Sequence, residues 1–384
     1  MEKTKYKVIV ETLRNEILGG KWSSPGSHFP SERALVRRFG VSRPTIAMAL
    51  QELCGQGYVL RKQGKVTSLT RNARKVCGSI AVIVPSFPKA EIFPVICREL
   101  SRICQEHDRM FVYVDEGEVS AKGACTSLCA IARRLVKQNV SGVIFRPVDY
   151  FKGSPDINRE FLSVFRAAEI PVVLIDCDVG GLDEKYGLDL VGVDNVEVGA
   201  LLGKLVLDRG RKKIAYVYRA QSSANVDLRV IGICSSLEKS NCARLVGKYQ
   251  MSDDKRGWLN RIRRVKPDAI ICSGDIVAAK VMKDVQDIGW KVPDDVIVAG
   301  VDDVEIARMT RPSLTTVRQP CADMAQAAFD LLEWRVLNPR AIARKVYLRV
   351  NLVERDSTGA GKRKKGRRQI GCGRRTRRDL TSDC

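Results

Sequence analysis

Polar and charged residues directly follow several short apolar runs in this sequence. They are Pro85-Ser86, Arg146-Pro147, Asp176, Asp194-Asn195, Ser273-Gly274-Asp275 and Asp302-Asp303. Carboxylates and a guanidinium offer paired hydrogen-bond donors and acceptors, which suit a ligand that carries many hydroxyl groups. In an enzyme, Asp275 and Asp302 could instead be the carboxylate pair of a glycoside hydrolase, and Ser86 could be a nucleophile.

The sequence offers little support for catalysis at these positions. Its only two histidines, His28 and His107, lie far along the chain from these carboxylates. It contains no GxSxG, GxGxxG, phosphate-loop or zinc-ligand spacing. A single carboxylate could equally cap a helix or close a turn, but the shared position of these residues after apolar runs favours a binding site. We therefore expect no enzymatic activity, no metal and no cofactor.

The apolar runs themselves have the length of β-strands and are apolar on both faces. They are Ile80 to Val84, Met110 to Val114, Gly142 to Phe145, Val172 to Ile175, Leu190 to Val193, Ile214 to Val217, Ala269 to Cys272 and Val296 to Val301. Amphipathic segments of helix length separate most of them, which predicts parallel sheets with helices on both sides. So many strands indicate an α/β body of two lobes, which would bind a ligand at the carboxyl ends of the strands.

Length and charge place a second kind of module beside this body. The chain has 384 residues, 45% of them hydrophobic, and 66 Lys and Arg against 44 Asp and Glu give a net charge of +22. Residues 1–71 hold 13 basic and 5 acidic side chains, and residues 362–384 hold 10 and 2. Basic ends around a nearly balanced body are typical of a chain with a separate nucleic-acid-binding module.

Other compositional features set the expected location and state of the chain. No stretch approaches the roughly 18 to 20 apolar residues of a membrane span, and no signal-peptide pattern follows the basic start, so we expect a cytoplasmic protein. The 13 cysteines are scattered without a CxxC pair, which favours reduced, mostly buried thiols. The basic tail from Lys362 to Arg378 cannot form a core and is predicted to be disordered. It could attract DNA non-specifically or be a solvated extension.

The first 70 residues predict three helices and a basic hairpin. Tyr6, Ile9, Leu13 and Ile17 form one apolar stripe that ends at Gly19-Gly20. Ser31 can cap a second helix, and Gly40 allows a tight turn into a third helix that begins at Ser42. Ile46, Leu50 and Leu53 form the buried face of that helix and leave its cationic N-terminal end exposed, which suits the major groove of DNA. A small solvated helical domain is the alternative.

The segment PSERALVRRFGVSRPTIAMALQELCGQGYVLRKQGK, residues 30–65, closely resembles the winged helix-turn-helix of the gluconate-repressor (GntR) family. The resemblance covers about the first 70 residues. It implies DNA contacts at Arg33, Ser42, Arg43 and Thr45, with a wing contact at Gly64. Ala47 departs from the family, which usually has a second arginine there.

The segments VGVDNVEVGALLGKLVLDRGRKKIAYV, PDAIICSGDIVAAKVM and VPDDVIVAGVDDVEIARMTRPSLTTVRQP resemble the ligand-sensing domain of the lactose-repressor (LacI) family, which is related to periplasmic sugar-binding proteins. The resemblance covers roughly residues 76–356. It implies a ligand held by Ser86, Phe93, Arg229, Asp275 and Asp302. The loop SFPKAEIF after the first strand departs from the family pattern. Trp258 could stack against a sugar ring or belong to the core.

These observations predict four segments. Residues 1–71 are the winged helix-turn-helix, 72–78 a linker, 79–356 the two-lobed ligand-binding domain with parallel sheets, and 357–384 a disordered basic tail. The predicted function is a DNA-binding transcriptional regulator, most simply a repressor. It would bind double-stranded operator DNA as a homodimer and respond to a small effector, a carbohydrate, between the lobes. The alternative is a solute-binding or sugar-processing protein without a regulatory role.

Overall fold

The computed structural model describes residues 5–18, 21–22, 28–61, 67–69, 78–84, 92–114, 124–149, 153–179, 187–219, 222–238, 240, 242–251 and 255–359. Within these residues the chain forms a small N-terminal unit and a body of two lobes, each built on a six-stranded sheet. No helix in these ranges combines the length and apolar character that a bilayer crossing requires.

The N-terminal unit is a three-helix bundle with a two-stranded hairpin. Its elements are α1 Lys5–Leu18, α2 Glu32–Phe39, α3 Arg43–Gly55, β1 Val59–Leu60 and β2 Ser68–Leu69, the two strands being antiparallel. The Ser31 side chain accepts from the Ala34 amide at 3.3 Å, and Gly40 ends α2 in the left-handed region at φ 60°. These local features were predicted because cap and turn residues act within a few positions of the chain.

The core of this unit is the one that the helical spacing predicts. Ile9, Leu13 and Ile17 of α1 pack with Leu35 of α2 and with the buried face of α3. That face consists of Ile46, Ala49, Leu50 and Leu53, all 0% exposed. The apolar stripes therefore leave the N-terminal turn of α3 free at the surface.

Lobe 1 contains a parallel sheet of strand order β13-β7-β6-β5-β3-β4. Its strands are β3 Ile80–Ile83, β4 Phe111–Val114, β5 Gly142–Phe145, β6 Val172–Ile175, β7 Asp189–Val193 and β13 Lys345–Leu348, and its helices are α4 Phe93–Glu106, α5 Ala124–Lys137 and α6 Ser154–Ala167. Strands β3, β5, β6 and β7 are buried along their whole length, which explains why they are apolar throughout, apart from Asp189 at the start of β7.

Lobe 2 has the strand order β14-β12-β11-β10-β8-β9, and only β14 among the described strands of this sheet runs antiparallel to its neighbour. Its strands are β8 Lys213–Arg219, β9 Arg244–Met251, β10 Ala269–Cys272, β11 Ile297–Asp302, β12 Thr315–Arg318 and β14 Asn351–Val353. Its helices are α8 Asn225–Glu238, α9 Lys255–Val265, α10 Asp275–Asp287 and α11 Ile306–Met309.

The chain passes between the lobes at three places. Helix α7, Asn195–Asp208, follows β7 of lobe 1 but packs on α8 of lobe 2. Helix α12, Cys321–Leu337, follows β12 of lobe 2 but packs on α4 and on the sheet of lobe 1. The third passage lies between β13 and β14. Lobe 1 is therefore completed by α12 and β13, which follow lobe 2 in the sequence, and lobe 2 is completed by α7 and β14, which follow strands of lobe 1.

Two glycines allow α7 and α8 to cross at very short distance. A Cβ atom on Gly199 would lie 1.9 Å from the Arg229 carbonyl oxygen, and one on Gly232 would lie 2.0 Å from the Val196 carbonyl oxygen. No side chain fits in either space, so the helices can approach this closely only with glycine at both positions. The crossing fixes α7 to lobe 2.

In the structure, the folded body extends beyond its predicted boundary at residue 356. A 3₁₀ helix spans Asp356–Thr358, and Ser357 is 0% exposed. The Ser357 hydroxyl accepts from the Thr315 amide at 2.8 Å and also donates to the Val298 carbonyl. Residues 357–359 therefore belong to lobe 2 and not to a tail. Residues 360–384, like the predicted linker at 72–77, lie outside the described residues.

Candidate DNA interface and ligand cleft

The N-terminal turn of α3 presents an exposed cluster of the residues predicted to contact DNA. Ser42 and Arg43 are exposed, Thr45 is half-buried, and Arg33 is exposed on α2. The Arg43 side chain is 82% exposed and its Nε lies 3.6 Å from a Glu32 carboxylate oxygen. Ser42 and Thr45 share a hydroxyl hydrogen bond of 2.8 Å. A helix N-terminus with a largely exposed arginine can meet phosphates and the acceptor atoms of guanine.

A residue that sequence reasoning did not single out ties the hairpin to this helix. Arg61 follows β1, donates to the Ala47 carbonyl oxygen at 3.3 Å and pairs with Glu32. Glu32 thus contacts both Arg61 and Arg43. This carboxylate orients two cations at the same surface. The predicted wing contact at Gly64 lies outside the described residues.

On the lobe 1 side of the cleft, a buried arginine links two carboxylates at the ends of β5 and β6. Arg146 Nη1 donates to Asp149 Oδ1 at 2.9 Å and to the Pro147 carbonyl at 2.8 Å, and Arg146 Nε lies 3.4 Å from Asp176 Oδ2. Burial raises the pKa of Asp176, and the neighbouring Arg146 charge opposes this rise. Asp176 has φ 74°, an unusual backbone conformation for a residue with a side chain.

These carboxylates also contact lobe 2. Asp149 Oδ2 accepts from the Ser223 hydroxyl and from the Ala224 amide, the latter at 3.1 Å. Asn225 Nδ2 donates to Asp176 Oδ1 at 3.2 Å. All three donors stand at the N-terminus of α8, where the partial positive charge of the helix favours anionic partners. Direct hydrogen bonds therefore join the lobes across the cleft.

Arg229 lies in α8 and is 6% exposed. Its Nε donates to Asn195 Oδ1 at 2.8 Å and its Nη1 to the Ser273 carbonyl at 2.7 Å. Its charge acts on Asp176, as does that of Asp302, so the structure brings these three predicted strand-end and helix residues into one electrostatic group. Arg229 connects the start of α7 with the end of β10.

Asp275 and Asp302 occupy different environments. Asp275 is 0% exposed at the start of α10; its Oδ1 accepts from Thr316 Oγ1 at 2.6 Å and its Oδ2 from the Val304 amide at 2.9 Å. Asp302 ends β11 with φ 112° and accepts from Gln319 Nε2 at 2.7 Å. Asp275 thus fixes the loop after β11, whereas Asp302 is half-buried at its edge.

Gln319 is a further residue that sequence reasoning did not identify. Gln319 is 4% exposed, and its Oε1 has no hydrogen-bond partner among the described residues. Such a buried acceptor beside Asp302 suits a ligand hydroxyl. Asp303, in the left-handed region at φ 55°, pairs with Arg318 and Arg355 and so braces the same loop. The partner of Gln319, Asp302, lies 17 positions away in the sequence, so no local pattern marks Gln319.

The aromatic residues proposed for the site belong to cores. Phe93 begins α4, is 2% exposed and packs in the large core cluster of the body. Trp258 is 0% exposed within lobe 2, so the stacking role considered for it is wrong and the core alternative is confirmed. Ser86 lies outside the described residues.

A cavity of about 240 Å³ opens between the lobes beside this network. It is lined, among others, by Asp176, Asp194, Asn195, Asn225 and Tyr347. Its volume is close to the lower end of the roughly 300 to 1,000 Å³ found for small-molecule sites. Carboxylates, amides and one tyrosine ring give it the mixed polar and apolar lining that a sugar requires.

Comparison with known families agrees with both parts of the chain. Residues 5–68 match the profile of the bacterial regulatory proteins of the gntR family, and residues 204–358 match that of the periplasmic binding protein-like domain. The chain is therefore a transcriptional regulator with two parts, an N-terminal part similar to the gntR family and a body similar to periplasmic binding proteins. Its GntR-type winged helix contains the exposed α3 surface, and its periplasmic-binding-protein-like body contains the cleft.

One relative is similar over nearly the whole chain, and another is similar over a little more than half of it. The arabinose metabolism transcriptional repressor of Geobacillus stearothermophilus is 25% identical over 374 residues, covering 93% of this chain and 99% of the relative. The transcriptional repressor PurR of Mannheimia succiniciproducens is 28% identical over 230 residues, covering 58% and 66%.

Solved structures share the fold. A cellobiose complex of the transcriptional regulator CelR covers 89% of this chain and 99% of that chain at 20% identity, with a TM-score of 0.62. A LacI-family regulator from Enterococcus faecium with bound ribose covers 73% and 98% at 22% identity, with a TM-score of 0.59. The lac repressor dimer on its operator covers 73% and 94% at 21% identity, with a TM-score of 0.61.

Proposed function

We propose that the regulator is a repressor that binds operator DNA as a homodimer and changes its affinity for that DNA when a sugar enters the cleft. The observation that carries this proposal is the polar network that joins the lobes at the carboxyl ends of their strands. In it Asp149 and Asp176 of lobe 1 accept from Ser223, Ala224 and Asn225 of lobe 2.

A polyhydroxylated ligand can act on this network directly. Its hydroxyl groups can replace the bonds between the lobes, because each hydroxyl both donates and accepts. A ligand that binds one lobe arrangement better than the other shifts the equilibrium between them. In a homodimer, a change of lobe angle alters the distance between the two α3 helices and hence their fit to two half-sites.

A role other than regulation has less support from the site. The Asp275 carboxylate is enclosed and engaged by Thr316 and Val304, so it is poorly placed to attack or protonate a sugar. We therefore propose that the cleft binds its ligand without turnover. Because its operator would lie on a bacterial chromosome, we place the regulator in the cytoplasm.

The first experiment is a thermal-shift screen of the purified full chain with arabinose, ribose, cellobiose and adenosine. A ligand that binds only the folded state raises the melting temperature by a few degrees at about 100 times its Kd. We expect a sugar to do so and adenosine not to. A shift with adenosine alone would contradict the carbohydrate assignment.

The second experiment measures operator affinity with and without the sugar that gave the shift. DNA fragments selected by the protein from a random pool supply the operator. A difference of about 5-fold to 150-fold between the two affinities is the range expected for coupled sites. Equal affinities would leave a sugar-binding protein that does not regulate, and appearance of a modified sugar would indicate an enzyme.

A further inference from the structure

Helix α12 extends from the cleft to the DNA-binding unit. It begins at Cys321, two residues after Gln319, whose side chain donates to Asp302. Its 17 residues give it a length of about 25 Å. At its other end, Leu337 packs against the core of the winged helix. One helix therefore has its first turn beside the ligand residues and its last turn on the DNA-binding unit.

The contact at the far end involves the turn that follows α3. A Cβ atom on Gly57 would lie 3.5 Å from the Leu337 carbonyl oxygen, so the two backbones are in close proximity. Gly57 has φ 80°, which favours glycine at this turn. Tyr58 follows it and is 8% exposed. Burial raises the pKa of Tyr58, Arg14 opposes this rise, and the Glu333 charge of α12 adds to it.

A buried ion pair lies one turn before Leu337. Arg109 and Glu333 are paired, with side chains 2% and 14% exposed. Arg109 Nη1 also donates to the carbonyl oxygen of Gly78 at 3.2 Å, at the point where the chain enters lobe 1. The same part of α12 therefore contacts both the winged helix and the start of the body. We call Gly57, Tyr58, Arg109, Glu333 and Leu337 the α12 dock.

The middle of α12 is firmly attached to lobe 1. Its buried residues are Met324, Ala325, Ala328, Phe329, Leu331, Leu332 and Val336. A Cβ atom on Gly142 of β5 would lie 2.7 Å from Leu332 Cδ1, so the helix sits directly on the sheet. Because this contact is closely packed, we expect α12 and the sheet of lobe 1 to move together.

We propose that the α12 dock holds the winged helix in a fixed orientation on lobe 1, so that rotation of the lobes moves the DNA-reading helix α3. Without the dock, the described residues of the winged helix would lose their contact with α12, and lobe rotation would no longer set the spacing of two α3 helices. This inference rests on the proposed effector response. It adds that the dock is needed for the sugar to change operator affinity, but not for binding of the sugar or of the operator by itself.

The test replaces Leu337 by Asp, which puts a charge into the apolar contact. Ile342→Asp is the matched control, because Ile342 is 90% exposed and lies five residues further along. For Leu337→Asp we expect an affinity for the sugar within about twofold of wild type. The ratio of the operator affinities measured with and without sugar should fall from its wild-type value to below about 2. Ile342→Asp should keep the wild-type ratio.

A second variant covers the case in which Leu337→Asp disturbs folding. Arg109→Met with Glu333→Leu removes the ion pair without leaving one charge buried alone. It should also lose the response while keeping operator affinity. A wild-type response in both dock variants would overturn the inference, as would loss of ligand binding in both.

A third measurement requires no effector. Trypsin can cleave after Arg71, Arg74 or Lys75, which lie between the units. We expect cleavage there to be about fivefold faster in Leu337→Asp than in wild type and unchanged in Ile342→Asp. Equal rates in all three proteins would refute the dock. If cleavage is faster in Leu337→Asp but no sugar alters operator binding in wild type, the proposed function is wrong while the dock is still supported.

Discussion

The DNA-binding surface and the ligand cleft differ in how their key residues are held. The Arg43 side chain is 82% exposed and pairs at the surface with Glu32 at 3.6 Å, whereas Arg229 is 6% exposed and donates to Asn195 and Ser273. The DNA surface is therefore ready to bind as it stands. In the cleft, a ligand must compete with bonds that the protein makes to itself, which is what a site needs if binding is to change the shape of the protein.

Asp275→Ala should give the largest effect and tests whether cleft residues support the fold. Removing this buried carboxylate leaves Thr316 and the Val304 amide without their acceptor, so the free energy of unfolding should fall by about 2 to 4 kcal/mol. Urea denaturation measures it. Asp287→Ala, at the exposed end of the same helix, should change stability by less than about 0.5 kcal/mol. Wild-type stability in Asp275→Ala would show that this residue serves ligand binding alone.

Arg229→Ala tests whether the buried cleft arginine also meets the effector. Charge-assisted hydrogen bonds contribute about 1.5 to 3 kcal/mol, so sugar affinity should fall about 10-fold to 100-fold. Operator affinity without sugar should stay near wild type. Arg244→Ala, an exposed arginine at the start of β9, is the control for charge. Full retention of the sugar response in Arg229→Ala would remove it from the site.

Glu333 of the α12 dock should make the free energy of unfolding depend on pH. Burial raises its pKa from 4.5 to about 7, although Arg109 opposes the rise. Between these values the folded chain binds a proton that the unfolded chain has lost, so the free energy of unfolding should fall as pH rises from about 5 to 8, by about 1 to 3 kcal/mol. Glu333→Gln should remove this part of the slope while lowering stability overall, since Arg109 loses its partner. An identical slope in both proteins would rule out Glu333 as its source.

Arg43→Ala examines the exposed side of the comparison. The loss should be about 1 to 3 kcal/mol on the selected operator and smaller on random DNA, because Arg43 can contact a guanine edge as well as phosphate. Filter binding or fluorescence anisotropy at fixed salt measures both. Arg37→Ala removes the same charge from an exposed position of α2 and should weaken both DNAs alike. Equal losses on operator and random DNA for Arg43→Ala would indicate a phosphate contact only.

The same contrast explains what the sequence could predict. Local signals located the winged helix: the Ser31 cap, the Gly40 turn and the buried face of α3 all act over a few residues. Apolar runs located the central strands because these are buried on both faces. The edge strand β9 was missed because it alternates polar and apolar residues, with Lys248 and Gln250 among them, and β12 was missed because it buries two threonines.

In the cleft, sequence reasoning found single residues but not their partners. Arg229 and Asp302 were expected from family resemblance, and Arg146 and Asp176 from their place after strands. The bonds from Asp149 to Ser223 and Ala224 span 74 and 75 positions, and the contact of Leu337 with the winged helix spans most of the chain. Such contacts depend on how whole lobes are placed, which no short pattern records.

The three passages between the lobes limit how the regulator can move. Each is short: Asp194 between β7 and α7, Gln319-Pro320 between β12 and α12, and Arg349-Val350 between β13 and β14. Sliding or separating the lobes would stretch all three at once, whereas a rotation bends each by a small angle. The regulator therefore has few large-scale degrees of freedom. Its effector need not drive a movement along some chosen path; it needs only to favour one end of a path that the backbone connections already define.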